Sequence, residues 1–142
     1  MLVNTLLVMV RVGAGAAAPA VQAAASPGPA GLPGATVFIA AAGIGAGDEQ
    51  LGALLLRGFL YTLTEAEAAP ARIILMNGGV RLAVAGSDSL VNLVRLAERG
   101  VEILACGTCL EFFQLKDALA VGRVTNMYEI AGLLLQGRTV SL

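Results

Sequence analysis

Histidine and tryptophan are absent from this chain of 142 residues. Without an imidazole, mechanisms that need a histidine base are excluded, as is any metal site that counts on a histidine ligand. Charge is scarce: 13% of residues are charged, against about 25% in an ordinary soluble domain. Nine cations and ten acidic residues leave a net charge of −1. The cations are spread along the chain with no Lys/Arg block. Phosphate backbones are bound by clustered basic residues, so a nucleic-acid partner is not expected. No apolar run reaches the roughly 18 residues of a spanning helix without meeting Gly, Pro or charge, so a membrane is not expected either. Yet 57% of the residues are hydrophobic and the mean hydropathy is +0.81. Alanine accounts for part of that. The rest predicts a soluble domain that buries further surface by self-association.

Cysteine is also rare, at two residues, which rules out a disulfide framework. The start of the chain lacks the marks of an export signal. It has no basic opening, the apolar run Leu6-Leu7-Val8-Met9-Val10 is short, and Arg11 interrupts it, although Ala20 to Ala25 imitates a small-residue cleavage site. A cytoplasmic protein is the expectation. Residues 13–35 are nearly all Ala, Gly and Pro and read as a linker, because they cannot bury enough apolar area to offset their ordering entropy. Residues 1–12 are too short to fold alone and read as a remnant, the end of a missing upstream domain. The folded domain is expected over 36–142, a length that supports a core of its own.

Within it, apolar runs alternate with helical patterns. Strands are predicted at 36–42, 72–76, 101–105, 121–125 and 138–142. The first helix starts at Asp48 as N-cap and carries Leu51, Leu54, Leu55, Phe59 and Leu63 on one side. A second is capped by Ser87 or Asp88 and carries Leu90, Leu93, Val94 and Ala97, with Gly100 as its stop. A shorter helix is expected over 109–119 and a last one over 127–135. Five alternations of strand and helix predict an α/β fold: a three-layer α/β/α sandwich around a five-stranded, mostly parallel sheet. In such sheets chemistry gathers at the carboxyl ends of the strands. Gly43 to Gly47, Asn77-Gly78-Gly79 and Cys106 to Cys109 all fall there.

Cys106-Gly107-Thr108-Cys109 carries the chemistry. A thiol between a strand end and a helix start meets free backbone N–H groups and the positive end of the helix dipole, which lower its pKa. Gly107 lets the backbone turn tightly and lets a substrate approach. Cys109 is close enough to Cys106 to attack a sulfur on it or to form a disulfide. Both could equally be small buried hydrophobes, but a Cys-x-x-Cys pair at a strand-to-helix corner favours function. Two cysteines without histidine cannot complete a zinc site in one chain, so no metal and no cofactor are expected. Thioredoxin-like redox chemistry is the rival. Against that fold, the motif follows the third strand, Ala105 rather than an aromatic precedes it, and no Pro occurs after Pro70. Gly43-Ile44-Gly45-Ala46-Gly47 resembles a phosphate-cradling loop, with Gly45 and Gly47 as binding candidates, but it lacks the Lys-Ser/Thr of a P-loop. A tight strand-to-helix turn is the plainer reading. Asn77-Gly78-Gly79 reads as a turn requiring φ > 0. It could also wall the cysteine site, with Asn77 and Gly78 joining Gly107 and Thr108 as binding candidates. Asp48, Glu49, Glu111 and Glu129 lie near strand ends, but their spacing shows no acid/base pairing. Phe112, Phe113, Tyr61 and Tyr128 are expected as core or subunit contacts.

Several of these stretches together resemble the DsrE/DsrF-like sulfur-relay family, in particular the carboxyl-terminal domain of YedF-type proteins linked to selenium metabolism. They are Gly47-Asp48-Glu49-Gln50-Leu51-Gly52, Arg57 to Thr64, Asn77-Gly78-Gly79-Val80-Arg81-Leu82, Gly100 to Leu110, and Val121 to Ile130. Cys-Gly-Thr-Cys and Thr-Asn-Met-Tyr-Glu-Ile are the most specific. The resemblance covers 36–142. It implies a DsrE-like domain of flavodoxin-like topology, assembled into trimers or hexamers. It implies sulfurtransferase-like activity in which a cysteine after the third strand carries sulfur or selenium as a persulfide between donor and acceptor proteins, including a TusA-like partner. Related relay subunits bear one cysteine at the position of Cys106, which receives the carrier role, and Cys109 is then a resolving thiol. YedF-type proteins usually begin with a TusA-like domain bearing a Cys-Pro motif. Here residues 1–12 hold no cysteine. A thiol–disulfide oxidoreductase and a non-catalytic oligomeric subunit remain as alternatives.

Overall fold

A computed structural model describes residues 34–142. The remnant expected over 1–12 and all but the end of the linker expected over 13–35 lie outside the described residues. Ala35 belongs to the folded body: it is fully buried and its carbonyl accepts from the N–H of Ala71 at 2.8 Å.

The elements alternate as predicted. They are β1 (Thr36–Ile39), α1 (Glu49–Glu65), β2 (Arg72–Leu75), a 3₁₀ helix (Asn77–Ala83), α2 (Leu90–Glu98), β3 (Glu102–Cys106), α3 (Gly107–Phe112), a second 3₁₀ turn (Lys116–Ala118), β4 (Arg123–Thr125), α4 (Met127–Leu135) and β5 (Thr139–Ser141). The sheet has five strands in the order β4-β3-β2-β1-β5, and every pairing is parallel. The three-layer α/β expectation is met. The strand order departs from the flavodoxin-like expectation, whose sheet runs 2-1-3-4-5. Here the chain steps in one direction from β1 to β4 and then crosses the whole sheet to place β5 beside β1.

Right-handed crossovers put connections that step in the same direction on the same face. α1, the 3₁₀ helix, α2 and α3 therefore share one face, and α1 packs on α2. α4 returns across the other. Side-chain bonds agree: Arg72 reaches Thr36 Oγ1, and Arg123 joins Glu102 to Glu129 of α4. These strand residues share the α4 face, and alternation turns Val37, Ile39, Ile73, Leu75 and Ile103 to the opposite one. All of the latter are buried, as are Ile74 and Leu104 on the α4 side.

Three expectations shift. The side of α1 that enters the core is Gly52, Leu56 and Leu60, while Leu51, Leu54 and Leu55 are about half exposed. The reason is a close approach at Gly52, where a Cβ would come within 3.0 Å of the Ile44 carbonyl oxygen. Turning the glycine to that loop turns the leucines outward. The helix expected over 109–119 is broken, with Gln114 at φ 58 after Phe112. Neither Ser87 nor Asp88 is the N-cap of α2. Ser89 is, and its backbone N–H donates to Ser87 Oγ at 3.1 Å.

Candidate functional site

The loops after β1, β2, β3 and β4 open on the same edge of the sheet. β3 hands the chain to α3 on one face and β4 hands it to α4 on the other. Adjacent strands whose connections leave in opposite directions open a crevice at their carboxyl ends, where open α/β sheets bind ligands. Cys106 is the last residue of β3 and its register partner on β4 is Thr125. The cysteine motif therefore stands at this point of the sheet.

Cys106 also caps α3, with extended backbone and no hydrogen bond from its side chain to the helix. It is 2% exposed. Gly107 fits a tight contact: a Cβ there would lie 3.0 Å from Val124 Cγ1 and 3.2 Å from the Thr125 carbonyl oxygen. Thr108 is exposed on the first turn, and Cys109 is half-buried. Both cysteines are free thiols.

Asn77 stands across from them. Its φ of 52° is left-handed, a region that Asn enters more readily than other non-glycine residues. This conformation accompanies an N–H that donates to Cys109 Sγ at 3.1 Å. The turn expected at Asn77-Gly78-Gly79 is present, with the positive φ on the asparagine. Gly79 serves a close approach instead, since a Cβ there would meet the Ile39 carbonyl oxygen at 2.4 Å. Gly78 packs toward the loop after β1, 3.5 Å from the Ala42 nitrogen measured from its would-be Cβ. The candidates Asn77, Gly78, Gly107 and Thr108 thus gather around the cysteines. Gly45 and Gly47 lie in the neighbouring exposed loop. There Gly45 has φ 88°, and a Cβ at either position would meet nothing within 4 Å, so the loop reads as a strand-to-helix turn.

The Cys109 thiol is raised above its ordinary pKa. Burial pushes its thiol up, the Asn77 N–H pulls it back in part, and the adjacent Cys106 thiol raises it again. The helix is only six residues long and offers little dipole to oppose the loss of water.

Two further features escaped the sequence reading. Arg81 of the 3₁₀ helix lies over the Phe113 ring, 4.3 Å from its centroid, and Phe112 meets Phe113 edge to face at 5.4 Å. Phe112 is 82% exposed and Tyr128 is 93% exposed, so neither is a core residue. They stand on the helices that follow β3 and β4, the strands on either side of the crevice. The second feature is a charge network behind Cys106. Thr125 donates its hydroxyl to Glu129, and Arg123 pairs with Glu129 at 2.7 Å and Glu102 at 3.0 Å. The Arg123 hydrogen bond holds the Glu129 carboxyl below its usual range, and the same bond raises Arg123. Arg72 shifts down, chiefly by burial. Of the other carboxylates, Asp48 caps α1 through the Leu51 N–H at 2.8 Å, and Glu111 pairs with Lys116. The Asp48 cap is the one expected, whereas the charge network was not readable from spacing, because Arg72, Glu102, Arg123 and Glu129 come from four separate elements.

Among the described residues there is no group of three or more metal-ligating side chains, and no helix is long and apolar enough to cross a membrane. Chemically, the site offers two adjacent thiols and a backbone N–H aimed at one of them. That set can take up a sulfur atom, or close into a disulfide.

No family model matches the chain, and no curated protein matches it. Its fold is similar to three solved structures. One is the protein of unknown function MTH1491 from Methanobacterium thermoautotrophicum, with 20% identity over 76% of this chain and 97% of that one and a TM-score of 0.54. The second is the ychN protein of E. coli, with 16% identity over 76% and 97% and a TM-score of 0.50. The third is the conserved protein of unknown function BT1422 from Bacteroides thetaiotaomicron, with 16% identity over 75% and 94% and a TM-score of 0.50. At these identities the likeness is one of fold.

Proposed function

We propose that this chain is a sulfur-relay protein, a sulfurtransferase-like persulfide carrier that holds sulfur or selenium on the cysteine pair at the end of β3. The observation that carries the reading is the placement of two free thiols, Cys106 and Cys109, side by side at the carboxyl-edge crevice. The DsrE-like sequence resemblance over 36–142 supports the cargo. Cys106 is the carrier position by that resemblance. Its near-complete burial suits a persulfide that must survive between donor and acceptor.

In the transfer, a thiolate attacks the outer sulfur of a donor persulfide R–S–SH. An S–S bond forms to the protein, the donor S–S bond breaks, and R–S⁻ leaves with the electron pair. Acceptor attack reverses the step. The rate follows thiolate fraction and access. Exposed Phe112 and Tyr128 flank the crevice and suit docking of a donor or acceptor protein of TusA-like kind. The outward leucines of α1, Leu51, Leu54 and Leu55, with Tyr61, support assembly of several copies.

The test is intact-protein mass spectrometry after incubation with glutathione persulfide. Gain of one sulfur in the wild type, absent from the Cys106→Ser/Cys109→Ser double variant, supports the relay. Loss of two hydrogens without sulfur gain turns the reading to a thiol–disulfide switch, which the adjacency of the two thiols would also serve. No mass change leaves the chain a structural subunit.

A further inference from the structure

Accepting the relay reading, we infer that Cys109, not the carrier Cys106, is the thiol that meets the incoming persulfide, and that the Asn77 amide N–H is its positioning group. Cys106 is 2% exposed. A donor persulfide must approach the attacking sulfur in line with its own S–S bond, and a residue 2% exposed leaves little surface for that approach. Cys109 is half-buried and three residues further on, with its sulfur beside that of Cys106 and fixed by the N–H of Asn77 at 3.1 Å. Asn77 holds a left-handed backbone at φ 52°, and such a conformation persists where its surroundings over-determine it. An N–H donor on a sulfur favours its anion, whether thiolate or persulfide.

The sequence of steps balances. Cys109 thiolate attacks the outer sulfur of R–S–SH, giving Cys109–S–SH and releasing R–S⁻, which takes up the proton that Cys109 lost. Cys106 thiolate then attacks the same outer sulfur. The Cys109 S–S bond breaks, Cys106–S–SH forms, and Cys109 recovers its electron pair and a proton from water. No oxidant or reductant is consumed. The sulfur ends in the buried position, and the exposed thiol is free to hand it out by the reverse path.

Sulfur uptake from glutathione persulfide is followed by intact mass over time in the wild type, Cys106→Ser and Cys109→Ser. The expected result is uptake by Cys106→Ser at the wild-type rate and uptake by Cys109→Ser slower by at least about tenfold. Uptake by Cys109→Ser at the wild-type rate overturns the inference and leaves the relay standing. Absence of uptake in the wild type overturns both. The Asn77 role is read in the Cys106→Ser background from the pH profile of Cys109 alkylation by iodoacetamide. Asn77→Gly keeps both the N–H and the left-handed backbone and should leave the profile in place. Asn77→Val disfavours that backbone and should move the profile to higher pH. Coincident profiles for the two substitutions overturn the positioning role, whatever the result of the sulfur assay.

Discussion

Replacing Gly79 by alanine tests the packing that aims the Asn77 N–H. The added Cβ would stand 2.4 Å from the Ile39 carbonyl oxygen and 3.2 Å from its carbon. Real Cβ atoms do not come closer than 3.0 Å, so the 3₁₀ helix must move off β1 by more than half an ångström. The obstacle is backbone in a buried strand, which cannot swing aside as a side-chain tip can. Overpacking of this kind costs about 1–3 kcal/mol. With a urea m-value of about 2 kcal/mol/M, a loss of 2 kcal/mol lowers the midpoint by about 1 M at unchanged slope. The same displacement disturbs the 3.1 Å contact from Asn77 to Cys109 and weakens that hydrogen bond, so iodoacetamide should alkylate Cys109 at a higher pH than in the wild type. Gly58→Ala is the control. Gly58 lies inside α1 with nothing within 4 Å of its would-be Cβ, and alanine there should stabilise by about 0.5–1 kcal/mol. A Gly79→Ala midpoint within about 0.2 M of wild type would refute the packing argument.

Other perturbations give separate readings. Gly122→Ala combines φ 81° with a Cβ 2.4 Å from the Ile103 carbonyl oxygen. It should cost at least as much as Gly79→Ala, about 2–4 kcal/mol, and should show the same urea shift at unchanged slope. Leu104→Ala empties a fully buried position on the interior strand β3 and should cost about 2–5 kcal/mol by thermal or urea unfolding. Glu129 has a folded pKa below its unfolded value, so its contribution is present above the ordinary carboxylate range and is lost as pH falls through the folded pKa. The group is about a third exposed, which holds that contribution to about 1 kcal/mol or less. Glu129→Gln should flatten the acid limb of the stability profile by that amount, and an unchanged limb would show the Arg123 pair to be idle. Cys109 has a raised folded pKa, so stability should decline as pH rises through the ordinary thiol range, where the unfolded chain ionises first, and Cys109→Ser should remove that decline. Leu54→Glu on the outward side of α1 should lower the assembly mass seen by light scattering, and an unaltered mass would place any interface elsewhere.

The alternation of strands and helices was legible because buried parallel strands leave continuous apolar runs. The placement of Cys106 followed from it, since a motif after Val101 to Ala105 has to sit at a carboxyl end. The facing of α1 was not legible. Its leucines have helical spacing, but a glycine contact with Ile44, distant in periodicity terms, sets the rotation. The Asn77 N–H on Cys109 was half legible: the sequence marked a turn with positive φ, while the bond it makes depends on β2 and β3 being neighbours. The charge network and the Arg81–Phe113 stack left no trace in spacing, because each draws on elements joined only by the fold. The raised pKa of Cys109 was not legible either, because it comes from burial among residues that only the fold brings together.

The strand order has a consequence for how the chain reaches this state. β1 pairs with β2 on one side and with β5 on the other, so Thr36 waits for Thr139. Four strands can form in order as they emerge, each beside the last. The fifth has to come back across the sheet, and until it arrives β1 shows a row of unpaired N–H and C=O groups, a template for any other strand at hand. Such distant pairings form late and slowly. During synthesis the domain therefore passes through a period with its middle built and one border open, and β5, three residues long, is the segment that ends it.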